Sequence, residues 1–422
     1  MLRRLSMGPQ PDLVDTTKDA DAAIARALDL SDPAAAPPAF PAPADYDAAR
    51  EVSTIAEPIG WWIGQMQQSP RFIEERLVWF WHDHFATGLQ KVRVPYLMWQ
   101  QHLLVRQHAT GSFATLLKAV SRDPAMLVYL DGVSNTARER NENFGREVME
   151  LFTLGRGNYT EQDVIEASRA FTGWVVNVPG RPGLGGTRFT AGVAPWASAF
   201  VPQRADAGTK TLLGTTANLD MDGALDVLLD HDATATRVAS KLYTELVGTS
   251  PSEKVARRLG KTFRDAQYEV MPLVEAIVGE KAFLADESVG AKARTPVEKL
   301  VGLIQAFPPS GVSVGRVGPR GPRRSGGVGD ALRSLSYIPF VPPNVAGFAS
   351  GSSLLGPHQL VHTFDLLSVY PSAPAVPATV DALLDRFALP AVSEGTRSVL
   401  KREPDPLRRL ALVVASPEYT VT

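Results

Sequence analysis

Residues 138–174 read RERNENFGREVMELFTLGRGNYTEQDVIEASRAFTGW, and this stretch decides the fold. A helix over residues 143–154 places four polar side chains within about a third of its circumference, while apolar side chains occupy most of the rest. The four are Asn143, Arg146, Glu147 and Glu150. Two glycines follow, and Thr160 with Asp163 forms a capping-box variant that starts a helix over residues 161–171. The stretch predicts two helices joined by a glycine turn, the first largely buried with a polar stripe.

The same helical period continues along most of the chain, so the sequence predicts a mostly α protein with a single multi-helix domain. Predicted helices cover residues 19–30, 94–108, 113–120, 140–154, 161–171, 221–229, 233–247, 252–266 and 296–306. A further helix is predicted to begin with Ser69 as N-cap and Pro70 as its first residue, and to end at Gly88.

Composition divides the chain further. Residues 1–45 are interpreted as an N-terminal helical extension with a Pro/Ala linker, and residues 46–422 as the helical domain. Within it, Gly, Pro and Thr replace the helical period at residues 175–214, which predicts a small β-containing insertion with a hairpin around residues 187–189 and 211–213. Residues 308–329, rich in Gly, Arg and Pro, are predicted to be a flexible loop.

Several classes of function lack support in the composition. The 422 residues contain no cysteine, which excludes thiolate nucleophiles, disulfides and cysteine-bound zinc or iron–sulfur sites. A net charge of −2 gives no reason to expect nucleic acid as a partner. No apolar run approaches the roughly 20 residues that span a bilayer, and the first arginines are not followed by a signal-peptide segment. We therefore expect a cytoplasmic protein without a membrane span.

Sequence motifs exclude further chemistry. The chain has no haem motif, P-loop, dinucleotide fingerprint, G-x-S-x-G elbow or H-E-x-x-H motif. Nucleotide hydrolysis, Rossmann redox chemistry, α/β-hydrolase chemistry and zincin proteolysis therefore lack their usual marks.

Motifs spread over nearly the whole chain resemble the DUF1800 family, a bacterial family of unassigned function. They are FWHDHFATGLQKV at 80–92, DPAMLVYLDG at 123–132, residues 141–174 of the stretch quoted above, DHDATATRVASKL at 230–242, TPVEKLV at 295–301 and PPNVAGF at 342–348. The resemblance implies two further expectations. Family members often carry export signals, which makes export the alternative location, and they are often encoded beside a DUF1501 protein, which is a candidate partner.

Two positions depart from the family pattern. The segment before KTLLG usually carries a His-Asp pair, whereas this chain has Ala205 followed by Asp206. The PPNVAG motif usually ends in tryptophan, and Phe348 stands here, which keeps an aromatic ring but loses an N–H donor. Any function of the missing histidine is absent from this chain.

A pair of carboxylates and one histidine are the candidate catalytic and metal-binding residues. Glu147 and Glu150 lie one helical turn apart on one face, as carboxylates do in metal-binding helix bundles. His82 and His84 differ by about 200° around a helix, so at most one faces a site, and His84 is the better candidate. The prediction is a catalytic site of His84, Glu147 and Glu150, with the same three residues as candidate ligands of a divalent metal. The alternative for His84 is a hydrogen-bonded core residue.

Six further residues are predicted to surround this site and bind an anionic or hydroxylated substrate. They are Asn143, Arg146, Asp131, Lys91, Arg169 and Trp174. Two interpretations stay open. In the first, the chain is an enzyme with one glutamate as general base or metal ligand. In the second, it is a non-catalytic binding or assembly protein, and Arg146, Arg169 and Lys91 neutralise the two glutamates in a structural ion-pair network.

Overall fold

Helices dominate the computed structural model of the chain, which describes residues 2–8, 19–179, 193–309, 327–389 and 391–422. The predicted mostly α class is therefore confirmed. The helices in the described residues are Leu2–Leu5, Ala20–Leu28, Tyr46–Ala49, Ala56–Gln68, Phe72–His84, Leu89–Val92, Pro95–His108, Phe113–Ser121, Pro124–Tyr129, Asn143–Glu147, Glu161–Ala170, Met221–Asp230, Asp232–Val247, Glu253–Asp265, Val270–Val278, Lys281–Leu284, Pro296–Ala306, Val328–Arg333, Pro357–His362, Val380–Arg386, Glu394–Arg402, Pro406–Val414 and Pro417–Thr420.

Local capping explains where several of these helices begin. Thr160 and Asp163 form the predicted capping box of the Glu161–Ala170 helix. Ser69 and Pro70 do not start their helix, because the Ser69 hydroxyl accepts a hydrogen bond from the Arg71 N–H and the helix begins only at Phe72. That helix ends at His84 rather than Gly88, since Phe85 leaves the helical conformation.

The predicted helix over residues 143–154 changes its winding in the middle. It is α-helical over Asn143–Glu147 and becomes a π-helix over Val148–Phe152. The wider turn is closed by the Thr153 hydroxyl, which donates to the Val148 carbonyl at 2.8 Å, and by the Gly155 N–H, which donates to the Met149 carbonyl at 3.0 Å. Short π segments often mark functional sites, because they leave backbone groups free for other partners.

Two small antiparallel sheets form the β-containing region. Trp174–Val176 pairs with Ser198–Phe200, and Lys210–Leu212 pairs with Thr215–Ala217. The second pair is a tight hairpin turning at Leu213 and Gly214, both with positive φ. Residues 187–189 of the predicted hairpin lie outside the described residues, and the strand at 210–212 pairs with its immediate successor in the sequence.

The first residues of the chain pack against its body. Leu5 is fully buried, and Arg4 donates to the carbonyls of Val247 and Phe283. Arg3 donates to the carbonyls of Phe387 and Ala388. The division at residue 45 stays a prediction, and of the predicted loop at 308–329, residues 310–326 lie outside the described residues.

The Phe72–His84 helix lies in the centre of the core. All of its residues are buried except Asp83, near its carboxyl end. Within the described part of the chain, no helix combines the length and apolarity that a membrane crossing requires.

Candidate functional site

A cleft of about 940 Å³ opens beside Asp83, and we call it the Lys241 cleft. One wall is a single face of the Asp232–Val247 helix, because the lining residues recur every three or four positions. They are Ala233, Thr236, Arg237, Ser240, Lys241, Thr244 and Glu245. The other walls come from Phe80 and Asp83, from the turn after the π-helix, and from parts of residues 291–295 and 350–354.

Asp83 is held in place by the PPNVAGF turn. Its Oδ1 accepts the backbone N–H of Phe348 at 2.7 Å. Gly347, with φ of 95°, packs so closely on Asp83 that a Cβ atom there would collide with the carboxylate and the backbone. Burial raises the pKa of Asp83 to about 6, although the Phe348 N–H and the nearby Lys241 act in the opposite direction.

Lys241 reaches the same region from the Asp232–Val247 helix and is bound to His84. Its Nζ lies 2.9 Å from His84 Nδ1, and His84 Nε2 lies 3.1 Å from the Phe152 carbonyl. Since a carbonyl only accepts, Nε2 carries the hydrogen and Nδ1 accepts from the ammonium. His84 is therefore a neutral imidazole that positions Lys241, and the π-helix supplies the carbonyl that fixes its tautomer.

Burial determines the ionisation of Lys241 and His84. It lowers the pKa of Lys241 to about 8, with Arg237 acting in the same direction and Asp83 against it. Burial, followed by the charge of Lys241, lowers the pKa of His84 well below its usual value. The charges of Asp83 and Lys241 shift each other's pKa, although the two side chains form no direct ion pair. The lining of the cleft thus includes a carboxyl and an ammonium group whose pKa values both approach neutrality.

A cluster of four charges, which we call the buried charge cluster, contributes two residues, Glu245 and Lys292, to the lining of the cleft. It consists of Arg76, Glu245, Lys292 and Glu298. Arg76 Nη1 lies 2.8 Å from Glu245 and 2.6 Å from Glu298, and Lys292 Nζ lies 2.6 Å and 3.0 Å from the same carboxylates. Its charges are mutually paired, so this cluster serves the architecture.

The predicted carboxylate pair lies outside the Lys241 cleft. Glu150 binds Arg156 at 2.5 Å and accepts the Tyr159 hydroxyl at 3.0 Å, and the Arg156 bond lowers its pKa. Glu147 forms no hydrogen bond or ion pair with any described residue, and burial followed by repulsion from Glu150 raises its pKa. Arg146 binds Glu161 through two nitrogens, at 2.9 Å and 2.7 Å.

The other predicted residues form separate local contacts. Lys91 Nζ binds Asp131 at 2.7 Å, and Asn143 Nδ2 donates to the same carboxylate at 3.3 Å. Arg169 binds Glu166 and Asp206, at 2.7 Å and 2.8 Å. Trp174 lies in the first strand, where its ring contacts Phe200 and Arg122.

These contacts correct two sequence interpretations. Neither Lys91 nor Arg169 contacts Glu147 or Glu150, and Arg146 binds Glu161 and acts on the two glutamates only through its charge, which lowers the pKa of both. The described residues also contain no group of three His, Asp or Glu side chains that could hold a metal ion, so His84, Glu147 and Glu150 do not form a ligand set. The reason is local, because both nitrogens of His84 are already hydrogen-bonded and Glu150 turns toward Arg156.

The two departures from the family pattern have modest structural effects. Phe348 packs against Trp79 and Tyr337, with ring centroids 5.6 Å and 4.8 Å away, and these two rings also contact each other. Its backbone N–H, and not its side chain, binds Asp83, so this bond survives the change of residue. Ala205 lies against Gly173, and the neighbouring Asp206 keeps its bond to Arg169.

Sequence analysis missed Asp83, Arg237, Lys241 and Glu245 as site residues. A signal was present, since the FWHDHF, DHDATATRVASKL and PPNVAGF motifs supply Asp83, Lys241 and the Phe348 N–H, which meet at this cleft. Arg237, Lys241 and Glu245 also recur every four residues, which places them on one helical face.

Comparison with known proteins gives one match. The model of a family described as "Protein of unknown function (DUF1800)" matches residues 1–421. No curated protein and no solved structure matches the chain.

Proposed function

The chain belongs to the DUF1800 family, whose function is unknown, and we propose that it is an enzyme that transfers protons to and from a small hydroxylated or anionic molecule bound in the Lys241 cleft. The observation that carries the proposal is that Asp83 and Lys241 line the same cleft, both only partly exposed and close enough for each to shift the pKa of the other.

The two groups suit opposite roles. With a pKa of about 6, Asp83 is mostly ionised at pH 7 and acts as the general base. With a pKa of about 8, Lys241 is mostly protonated and acts as the general acid. His84 is a positioning residue, because it accepts from Lys241 without lining the cleft. Glu147 and Glu150 take no part in this proposal.

The first test is the titration of Lys241. Protein labelled with ¹³C-lysine is titrated by NMR, and the Lys241→Arg variant identifies the signal. Burial lowers the pKa of both Lys241 and Lys299 to about 8, so we expect two lysines to titrate near pH 8 and only one of these signals to be lost in Lys241→Arg. The charge of Arg237 disfavours the ammonium form of Lys241, whereas Asp83 favours that form. The other group facing Lys241 is the neutral His84. A Lys241 signal that titrates near the ordinary lysine value of about 10.4 contradicts the acid–base site.

The second test is turnover. Small hydroxylated carboxylates and phosphates are screened by mass spectrometry for conversion by the wild-type protein. We expect Asp83→Asn and Lys241→Met to lower the rate by about 10²- to 10⁴-fold. Lys118→Met is the matched control, because Lys118 is partly exposed and binds Asp226 away from the cleft. Equal rates in all three variants contradict the assignment.

The non-catalytic interpretation predicts a different pattern. A binding or assembly protein, with a DUF1501-type protein as partner, would show no turnover and would keep its partner when Asp83 is changed to Asn. Co-purification of the two proteins with wild type and with this variant compares the interpretations directly.

A further inference from the structure

We infer that the Lys241 cleft contains an oxyanion subsite at Arg237, so that the substrate carries a carboxylate or phosphate group. This inference rests on the proposed function and specifies the ligand of the same cleft. A guanidinium group suits such a ligand, because its planar fork can donate two parallel hydrogen bonds to an oxyanion.

The first observation is that Arg237 has no protein partner. It is half-buried in the cleft wall, yet it forms no hydrogen bond, ion pair or ring contact with any residue that the structure describes. Other arginines of this cleft wall differ, since Arg156 binds Glu150 and Arg257 binds Glu253. A half-buried cation without a partner is costly to fold, which indicates that a ligand supplies the missing anion.

The second observation is the backbone on which Arg237 rests. Gly155, with φ of 80°, follows the π-helix, and a Cβ atom there would lie 2.8 Å from Arg237 Nη1. The glycine thus allows the guanidinium to lie against the turn. Asn158 donates to the carbonyls of Leu154 and Gly155, at 3.0 Å and 3.4 Å, which keeps this turn in place.

The third observation concerns the surrounding charge. Arg237 is close enough to Lys241 and His84 to lower the pKa of both. The charges of Glu150 and Tyr159 raise the pKa of Arg237. Neither residue binds Arg237, because Glu150 accepts hydrogen bonds from Arg156 and from the Tyr159 hydroxyl. An oxyanion at Arg237 would also lie near the proton donor, Lys241.

The experiment compares binding of inorganic phosphate and of acetate by calorimetry in chloride buffer. We expect saturable binding of at least one anion by wild type, weakened about tenfold or more in Arg237→Gln, since a charge-assisted bond is lost. Arg257→Gln is the matched control and should bind as wild type does, because Arg257 already pairs with Glu253. The two anions distinguish a phosphate from a carboxylate subsite. No saturable binding of either anion, or equal binding by both variants, overturns the inference.

Thermal melting tests whether Arg237→Gln loses anion binding only because the variant is less stable. Without added anion, Arg237→Gln should melt at or above the wild-type temperature, because Arg237 has no partner to lose. Phosphate or acetate, whichever binds, should then raise the melting temperature of wild type and not of the variant. A variant that melts well below wild type in anion-free buffer shows that Arg237 is structural, and overturns the inference.

A pair of glycine variants separates strain from loss of the subsite. Gly155→Ala and Gly157→Ala both force alanine into a positive φ, but only the first displaces Arg237, since nothing lies within 4 Å of a Cβ at Gly157. We expect only Gly155→Ala to weaken anion binding.

The lysine titration and the anion binding test the two proposals separately. If Lys241 titrates near pH 8 but no anion binds, the subsite is wrong and the proposed acid–base pair stands. If Lys241 titrates normally while anions bind at Arg237, only the proposed function fails.

Discussion

Glu147 and Glu150 show how far the environment of a residue can differ within one helical turn. Burial raises the pKa of Glu147, whereas the bond to Arg156 lowers the pKa of Glu150. A raised carboxyl pKa makes the folded protein less stable as the pH rises through that pKa, and a lowered pKa makes it less stable as the pH falls. The same residue type therefore has opposite effects on folding at adjacent positions of one stripe.

Substitution of these two glutamates gives a test at the residue scale. At pH 7, Glu147→Gln should leave the free energy of unfolding unchanged or raise it by up to about 1 kcal/mol, because it removes a half-buried charge without a partner. Glu150→Gln should lower it by about 1 kcal/mol, since it weakens the Tyr159 bond and a largely exposed ion pair. Urea denaturation measures both. A loss of about 3–5 kcal/mol in Glu147→Gln would show a buried ion-pair partner instead.

Residue patterns predicted the site only in part. The side chains of the 143–150 stripe were predicted to share a face, and the four residues are indeed all half-buried. Their partners could not be predicted, because Arg156, Tyr159 and Glu161 reach them only after the chain has turned. His84 was chosen over His82 and Asp83 was not considered, yet Asp83 is the ionisable residue of this helix that lines the cleft.

At the scale of elements, the PPNVAGF turn is the contact that fixes Asp83. The turn combines a backbone N–H donor at Phe348 with the glycine that permits close approach. Such a turn acts through its backbone, which explains why it tolerates phenylalanine at position 348.

Glycine variants of this turn provide a test at the element scale. Gly347→Ala should lower the free energy of unfolding by about 2 kcal/mol more than Gly351→Ala does. Both glycines have positive φ, so both variants carry the strain of a left-handed alanine, about 1–2 kcal/mol. Only Gly347 packs on Asp83, so only its variant also suffers overpacking. Chemical denaturation compares them, and equal losses would argue against tight docking of the turn.

Periodicity and capping predicted ten of the helices, but helices such as Ala56–Gln68 and Val270–Val278 were missed, and so was the winding of one predicted helix. The π segment at Val148–Phe152 leaves the apolar pattern of the 143–154 stretch intact, so periodicity indicated an ordinary α-helix. Its cause is tertiary, since the Phe152 carbonyl finds its partner in His84, 68 residues earlier.

At the scale of the whole molecule, the buried charge cluster connects four distant parts of the chain. Arg76 comes from the central helix, Glu245 from the cleft wall and Glu298 from the Pro296–Ala306 helix. Arg76 also donates to the backbone carbonyls of Arg3 and Ser6. The attraction of Arg76 and Lys292 outweighs burial and lowers the pKa of Glu298, so its contribution to stability is lost as the pH falls through that lowered pKa.

Breaking the cluster should affect the entire fold. Glu298→Gln is expected to lower the free energy of unfolding by about 3–5 kcal/mol, because it leaves Arg76 and Lys292 underneutralised in the interior. The control is Glu253→Gln, which breaks the exposed pair with Arg257 and should cost about 0.5 kcal/mol or less. Thermal and urea denaturation measure both, and similar small losses would show that water reaches the cluster.

The anchoring of the first residues sets an order of events during synthesis. Arg3 binds carbonyls 384 and 385 positions further along the chain, and Arg4 binds one 279 positions away. While the ribosome is still making the last third, Arg3 lacks its two acceptor carbonyls, whereas Arg76 and Val247, which also bind residues 3–6, are already present. Residues 2–8 can therefore dock in part on the earlier helices, but the contacts of Arg3 that complete their docking form only at a late step of folding.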